Sequence, residues 1–408
     1  MIRPWALGAA LLLTACGGSS STGVITSPTG EVGSAAPSAA PTQAADCLTS
    51  SSPPPPSPAS GTQVPALATI QFAGPRQGWA AGRGRILTTT DAGATWTAQY
   101  QGPEQVTFVD FVSSSTGWAV TLDALLGTTD GGHCWRRLGE PAQSLVSVHF
   151  IDAQNGWGVS GSSTAQRANG LPNTLVLGDG PPVQPAGGGL VVTTDGGHSW
   201  RSAPGGTPAD VQSVCFSDPG HGWLGAGGHV YRSSDRGAGW HEVPGLPAQP
   251  GSSGVISLEC ALPDSAWMLD LTLEGAAGNQ PYSGLASVGG QGIVELFADQ
   301  LGGAGNRTPP GSYPGPFSVI SASTAAFAGE TPPLPANPVG LVQATVSGAS
   351  VTVTAPVQVA GIDRAWGASF ASASTGWLVA DTGQDGHAVI LVTTDGGHSW
   401  TRQYSTGA

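Results

Sequence analysis

The sequence contains no lysine. Its 13 basic residues are all arginine, they face 26 Asp and Glu, and charged residues make up only 10% of 408, against about 25% in an ordinary globular domain. A formal net charge of −13 therefore excludes a nucleic-acid binder that works through basic charge. Uninterrupted helical stretches are scarce too. Gly 63 and Pro 34 punctuate the chain too often for an all-α fold and suit many short strands joined by turns. There is also no nucleophile elbow, phosphate-binding loop, dinucleotide fingerprint or zinc-ligand spacing.

Residues 1–16, MIRPWALGAALLLTAC, combine Arg3, an apolar run from Trp5 to Leu13, and small residues ending at Cys16. This is the layout of a secretory signal, and the run is too short to span a membrane as a helix. Leu13, Thr14, Ala15 and Cys16 resemble the bacterial lipobox. That resemblance implies a signal peptide over residues 1–15, acylation of Cys16 and an anchor on the extracytoplasmic side of a bacterial membrane; the alternative is an ordinary secretory signal cut nearby. Residues 16–63 are rich in Ser, Pro, Ala and Gly and hold almost no large apolar side chain, so they are expected to form a disordered linker. Its flexible parts would reach roughly 40 Å.

Cys47, Cys134, Cys215 and Cys260 make an even set in a compartment where disulfides persist. Three pairings are possible. Cys215 and Cys260 lie 8 and 7 residues before the tryptophan of consecutive repeats, which favours Cys215 with Cys260 and Cys47 with Cys134; four buried thiols are the alternative.

An octapeptide recurs five times: TTDAGATW (89–96), TTDGGHCW (128–135), TTDGGHSW (193–200), SSDRGAGW (233–240) and TTDGGHSW (393–400). Each Asp precedes its Trp by five residues and has Gly two places on. A carboxylate so placed can accept N–H groups across its own turn, Gly supplies a positive φ, and Trp opens the next strand. Asp91, Asp130, Asp195, Asp235 and Asp395, with Trp96, Trp135, Trp200, Trp240 and Trp400, are thus read as structural. A second mark, Gly-Trp, precedes the octapeptide at Trp79, Trp118, Trp157, Trp223 and Trp377, with Ala-Trp at Trp267 and an Ala-Phe counterpart at Phe327. Seven units of four short strands result, the pattern of an all-β, seven-bladed β-propeller. The blades fall at about 64–102, 103–140, 144–204, 210–244, 254–298, 316–357 and 362–404.

These octapeptides resemble the Asp-box, or BNR, repeat of sialidases, xyloglucanases, sortilin-type receptors and photosystem II stability and assembly factors. The likeness to the last family is the fullest, since its members are single propellers whose units carry Gly-Trp followed by T-x-D-G-G-x-x-W. It implies a role in binding a partner during assembly and covers about residues 64–404, although units five and six lack the octapeptide.

From the Gly-Trp tryptophan to the octapeptide Asp there are 12 residues in units one, two and four, but 38 in unit three and 18 in unit seven. The excess lies between the second and third strands, on the face opposite the octapeptides, and variable loops on a rigid scaffold are where binding resides. Candidate ligand or partner residues on that face are Arg83, Arg85, Asp123, Arg167, His229, Glu274, Asp381, Asp385 and His387, with Asp179 and Glu330 beside them; the bland alternative for each is a solvated loop charge. His133, His198 and His398 belong to different units and are read as exposed turn positions, with no metal. No cofactor is expected. A sialidase-like site would need an arginine cluster and a Tyr paired with Glu. The Phe/Tyr-Arg-Ile-Pro motif is absent, and Tyr100, Tyr231, Tyr282, Tyr313 and Tyr404 have no Glu partner recognisable in sequence. The reading is a lipid-anchored, non-catalytic binding or assembly factor for a membrane-protein or envelope partner, with a glycoside hydrolase or sialidase-like propeller as the alternative.

Overall fold

A computed structural model describes residues 47–48, 64–139, 144–161, 170–171, 174–175, 188–244, 254–274, 280–289, 292–295, 315–330, 339–348, 350–382 and 387–407. Among them every regular element is a β-strand, and no helix is long and apolar enough to cross a membrane. The first sheet contains β1 (Thr69–Phe72), β2 (Gly78–Thr89), β3 (Thr97–Phe111), β4 (Gly117–Thr121), β5 (Leu125–Thr128) and β6 (Arg136–Arg137), each hydrogen-bonded to the next. Five further sheets follow in chain order, each starting from an inner first strand: Ser144–Phe150, Val211–Phe216, Gly254–Leu262, Phe317–Ser321 and Arg364–Phe370. Gly170–Leu171 and Thr174–Leu175 pair as a separate two-stranded sheet.

The chain is therefore a β-propeller built mainly from four-stranded sheets, but it has six sheets and not the seven expected. The cause is β3. Its 15 residues pair with β2 over Thr97–Gln105 and with β4 over Val106–Phe111, so units one and two share one continuous strand. Gly102 and Pro103 look like a break in sequence, yet the strand runs through them. They fall in the gap of the β2 ladder between the Arg85↔Gln101 and Arg83↔Gln105 pairs, where proline's missing N–H costs no hydrogen bond.

The first strands of successive units touch one another around a closed ring, and the last, Arg364–Phe370, touches β1. The core is accordingly divided into apolar slabs between neighbouring units. The slab at the closing seam packs Leu67 and Ile70 against Trp377, Val379 and Ile390.

The Gly-Trp mark has a packing explanation that involves a third residue. Phe72, Phe111, Phe150, Phe216 and Phe370 pair across strands with Gly78, Gly117, Gly156, Gly222 and Gly376. A Cβ on any of these glycines would lie closer than 3.0 Å to the phenylalanine ring, so the ring lies flat over the missing side chain. Its outer face then takes the tryptophan of the preceding unit: Trp79 on Phe111 at 3.5 Å, Trp118 on Phe150 at 3.4 Å, Trp157 on Phe216 at 3.6 Å and Trp377 on Phe72 at 3.6 Å between centroids. The octapeptide tryptophans Trp96, Trp135, Trp200 and Trp240 meet the same rings edge-on, a favoured aromatic geometry.

One position before this aromatic, the first strand of each unit ties itself to the next. Gln71 accepts the Phe111 N–H at 2.7 Å, Asp110 that of Phe150 at 2.6 Å, Glu259 that of Val319 at 2.8 Å, Ser318 that of Phe370 at 3.0 Å and Ser369 that of Phe72 at 3.0 Å. His149 Nε2 donates to the Phe216 carbonyl at 2.7 Å, and Cys215 is disulfide-bonded to Cys260. Among the described residues the ring thus closes through side chains, with no strand shared between its first and last sheets.

This register corrects the reading of unit six. Ser318 pairs with Ala326 and Val319 with Ala325, as Ser369 and Phe370 pair with Trp377 and Gly376. Ala326 therefore holds the tryptophan position, and Phe327 points the other way, into the slab shared with unit five.

Candidate functional site

The octapeptides form one repeated turn. Asp91 accepts the Thr95 N–H at 2.9 Å, the Thr95 hydroxyl at 2.6 Å and the Thr89 hydroxyl at 2.8 Å. Thr89 Oγ1 in turn accepts the Gly93 N–H at 2.8 Å. Asp130, Asp195, Asp235 and Asp395 accept the equivalent N–H groups of Cys134, Ser199, Gly239 and Ser399 at 2.8–2.9 Å. The Thr95 and Ser399 hydroxyls, followed by the backbone N–H groups, hold Asp91 and Asp395 at a pKa of about 2, since hydrogen bonds to the charged form favour it. The two residues after each Asp have positive φ, including the non-glycines Ala92 (63°) and Arg236 (68°).

His133, His198 and His398 are exposed on these turns; His133 and His398 each place Nδ1 on a carbonyl of their own turn, at 2.6 and 2.7 Å. No group of three or more His, Cys, Asp or Glu able to hold a metal occurs among the described residues. Cys47 is disulfide-bonded to Cys134 of the second octapeptide, and the Leu48 N–H donates to the Trp135 carbonyl at 2.7 Å.

The turns also receive the indole N–H of the preceding unit. Trp79 donates to the Gly131 carbonyl at 3.1 Å, Trp118 to Gly196 at 2.8 Å and Trp377 to Ala92 at 3.2 Å. Trp223 and Trp267 face units that lack the turn, and their buried Nε1 atoms have no partner. Trp157, which faces the turn carrying Arg236, has none either. Three of these turns are thus joints between neighbouring units of the scaffold.

The opposite face gathers charge in three places. At the seam, Asp381 accepts the Trp366 Nε1–H at 2.6 Å, and the Arg364 guanidinium stands 5.3 Å from the Trp366 ring. Burial pushes the Asp381 carboxyl above the usual range, against the Trp366 hydrogen bond and the attraction of Arg364 and Arg83. Beside it, Arg85 Nη1 donates to the Tyr404 hydroxyl at 3.3 Å. His387 lies against the backbone of Gly407, and its carbonyl accepts from Thr382 Oγ1. Arg83, Arg85, Asp381 and His387, dispersed in sequence, are thus assembled where the first and last units meet. Trp366, Arg364 and Tyr404 belong to this cluster but carry no repeat mark that would have singled them out.

In unit two, Arg137 Nη2 reaches Glu104 at 2.6 Å and Asp123 at 3.8 Å. Glu104 adjoins Tyr100, whose phenol is pushed up mainly by burial, with the Glu104 charge adding to it. The tyrosine–glutamate pairing that the sequence did not reveal therefore exists in space. It does not make an activated nucleophile: Tyr100 is 2% exposed, its ionisation is disfavoured, and Glu104 is bound to arginine. In unit four, His229 Nδ1 lies 2.8 Å from Glu242, both exposed. Cys16, Arg167, Asp179 and Asp385 lie outside the described residues, as do the side chains of Glu274 and Glu330.

No family model matches the sequence, and no curated protein is similar to it. Among solved structures, the chain is similar to YCF48 from Cyanidioschyzon merolae, at 14% identity and a TM-score of 0.51 over 81% of this chain and 95% of that one. It is also similar to an ancestral GH74 enzyme, at 14% identity and a TM-score of 0.54 over 84% of this chain and 47% of that one. U3-55K is similar at 10% identity and a TM-score of 0.51, over 80% and 90% of the two chains. The chain spans about half the length of the GH74 enzyme. At such identities the likeness establishes the propeller fold, and function rests on the residues themselves.

The base of the long connection in unit three is well defined. Gly188 bonds to Val211 of the next sheet in both directions, at 2.9 and 3.0 Å, and the Ser160 hydroxyl donates to the Gly189 carbonyl at 3.0 Å. The connection over residues 162–187 therefore leaves from and returns to fixed points on the same face as the three charged groups.

Proposed function

We propose that this protein is a non-catalytic binding or assembly factor, held by Cys16 to the extracytoplasmic side of a bacterial membrane, which engages an envelope or membrane-protein partner through the face opposite the octapeptides. The observation that carries this reading is the division between the faces. One is a set of closed, self-bonded turns; the other bears the long connection of unit three and the Arg83, Arg85, Asp381 and Trp366 cluster. A rigid ring presenting variable loops is suited to recognition. The resemblance of the repeat to photosystem II stability and assembly factors, and the fold likeness to YCF48, fit the same reading. A carbohydrate-active propeller is the alternative, favoured only by the grouping of Tyr100, Glu104 and Asp123; the burial of Tyr100 and Glu104 and the pairing of Glu104 with Arg137 argue against it.

The test is crosslinking in the native host, followed by mild-detergent purification and identification of what co-purifies, for wild type and a variant lacking 161–188. A membrane or envelope protein captured by wild type and lost from the variant supports the reading. Equal capture by both would move the site off this face, and no enrichment with hydrolysis of an envelope glycan would favour the alternative. Cys16→Ser should release the protein from the membrane fraction; unchanged fractionation and mobility would remove the anchor from the proposal.

A further inference from the structure

Of the seven ties around the ring, six are hydrogen bonds and one is the Cys215–Cys260 disulfide. Its junction is also the first, in chain order, without an aromatic stack. Cys260 pairs with Ala266 where Phe216 pairs with Gly222, so the ring that would receive Trp223 is missing. The Trp223 indole has no acceptor, because unit five turns from Gly289 to Gly292 where other units place the octapeptide. Among the described residues Arg232 also crosses the junction, pairing with Asp264 and donating to the Pro263 carbonyl at 3.4 Å. With Asp264 81% exposed, that ion pair is screened by solvent and weak.

We propose that Cys215–Cys260 is a redox-operated latch whose reduction opens the ring between units four and five. Cys215 is 1% exposed and Cys260 half-buried, so attack falls on Cys260. A thiolate of a dithiol reductant bonds to Cys260 Sγ and the Cys215 sulfur leaves as thiolate, then takes a proton. The second reductant thiol displaces Cys260 as its thiol, and the reductant ends as a disulfide, two electrons having passed to the protein. Two thiols are poor hydrogen-bonding groups and leave this slot without a tie. Opening uncovers the slab formed by Trp223, Leu258 and Met268. Cys47–Cys134 is not such a latch. It fastens the segment at Cys47 to unit two, where Asp110, the Trp118–Phe150 stack and the Trp118–Gly196 bond hold the neighbouring junction without it.

The experiment uses the full chain carrying Cys47→Ser and Cys134→Ser, so that one disulfide remains, with hydrogen exchange measured by mass spectrometry before and after dithiothreitol. Reduction should speed exchange at least tenfold in peptides covering 222–226 and 257–269 and leave 144–161 unchanged. Rates equal within twofold in both states would overturn the latch, as would uniform acceleration throughout the chain, which marks a general staple. A second protein keeps the proposal open to refutation should the serine variants fold poorly. Cys215→Asp with Cys260→Phe and Ala266→Gly transplants the unit two to unit three junction to this place. It should stay protected in dithiothreitol at the rates of the oxidised wild type; exchange as fast as in reduced wild type would refute the role assigned to this slot.

Discussion

Units one to four and seven differ from units five and six in how each is joined to its neighbour. Where the octapeptide is present, its first-strand phenylalanine lies over a glycine with the octapeptide tryptophan close by, and in units one to four that ring also stacks on a tryptophan of the preceding unit. In units five and six the turn, the glycine and the phenylalanine disappear together. Ala266 replaces glycine where Cys260 replaces phenylalanine, and Ala325 does so where Val319 does. Loss of the ring removes the reason for the glycine, so the three residues behave as one packing unit.

The largest test of that contrast deletes the ring. Phe150→Ala should cost about 3–5 kcal/mol, because the ring stacks on Trp118 and meets Trp200 edge-on. Phe370 also lies over a glycine, but Ala326 faces it in place of a tryptophan. Phe370→Ala should therefore cost less, by the ~0.5–1.5 kcal/mol of an aromatic pair. Equal shifts in denaturant midpoint would erase the distinction. Next in size, Gly117→Ala should cost about 1–3 kcal/mol by overpacking and should become nearly neutral in a Phe111→Ala background. Ala325→Gly, with no ring above it, should cost only about 0.5–1 kcal/mol through chain entropy. A double-mutant cycle at Gly117 and Phe111 that shows no coupling would break the explanation.

Acid titration separates the two faces. Asp91 and Asp395 have folded pKa values of about 2 against an ordinary 3.8. Their stabilisation is complete above the ordinary value and is lost as pH falls through about 2, because the unfolded chain takes up the protons first. Asp195→Ala should cost about 1 kcal/mol at neutral pH through lost turn hydrogen bonds and leave partner capture intact. Asp381 has the opposite sign, since its raised pKa means the folded state gains stability as pH falls through it. Asp381→Asn keeps an acceptor for Trp366 and should match or exceed wild type in melting temperature at neutral pH; a clear drop would show that the arginines outweigh burial. The smallest effect is expected at Ala92, which holds a φ of 63° where Gly131, Gly196 and Gly396 stand in other units. Ala92→Gly should gain a few tenths of a kcal/mol at most, as relief of strain offsets added chain entropy, and a loss would show that this turn is unstrained.

Periodic features were legible in the sequence. The octapeptide and Gly-Trp marks located the units because their spacing is set by backbone turns that tolerate few residue types. Of the inter-unit ties only Cys215–Cys260 was legible, from two cysteines at matching offsets before consecutive tryptophans; Gln71, Asp110, His149, Glu259, Ser318 and Ser369 share a position but no one residue type, and only strand register aligns them. The same blindness placed Phe327 one residue off, because an aromatic two residues along a strand from Ala325 resembles the mark but faces the other side. The seam cluster was half visible: Arg83, Arg85 and Asp381 stand between a Gly-Trp mark and its octapeptide, whereas Trp366 and Arg364 sit on an inner strand outside the repeat marks.

Closure through side chains alone has a topological consequence. Each end of the ring is a complete unit made from contiguous chain, and the final strand, Thr401–Ser405, lies beside the same seam as β1. The present chain order is thus one of several equivalent cuts through a circle. A circular permutant with a short linker from 406 to 64 and new termini at 290–291 would keep the seven ties around the ring while losing the Cys47–Cys134 disulfide, and the backbone would then span covalently the one boundary that this protein seals by contact.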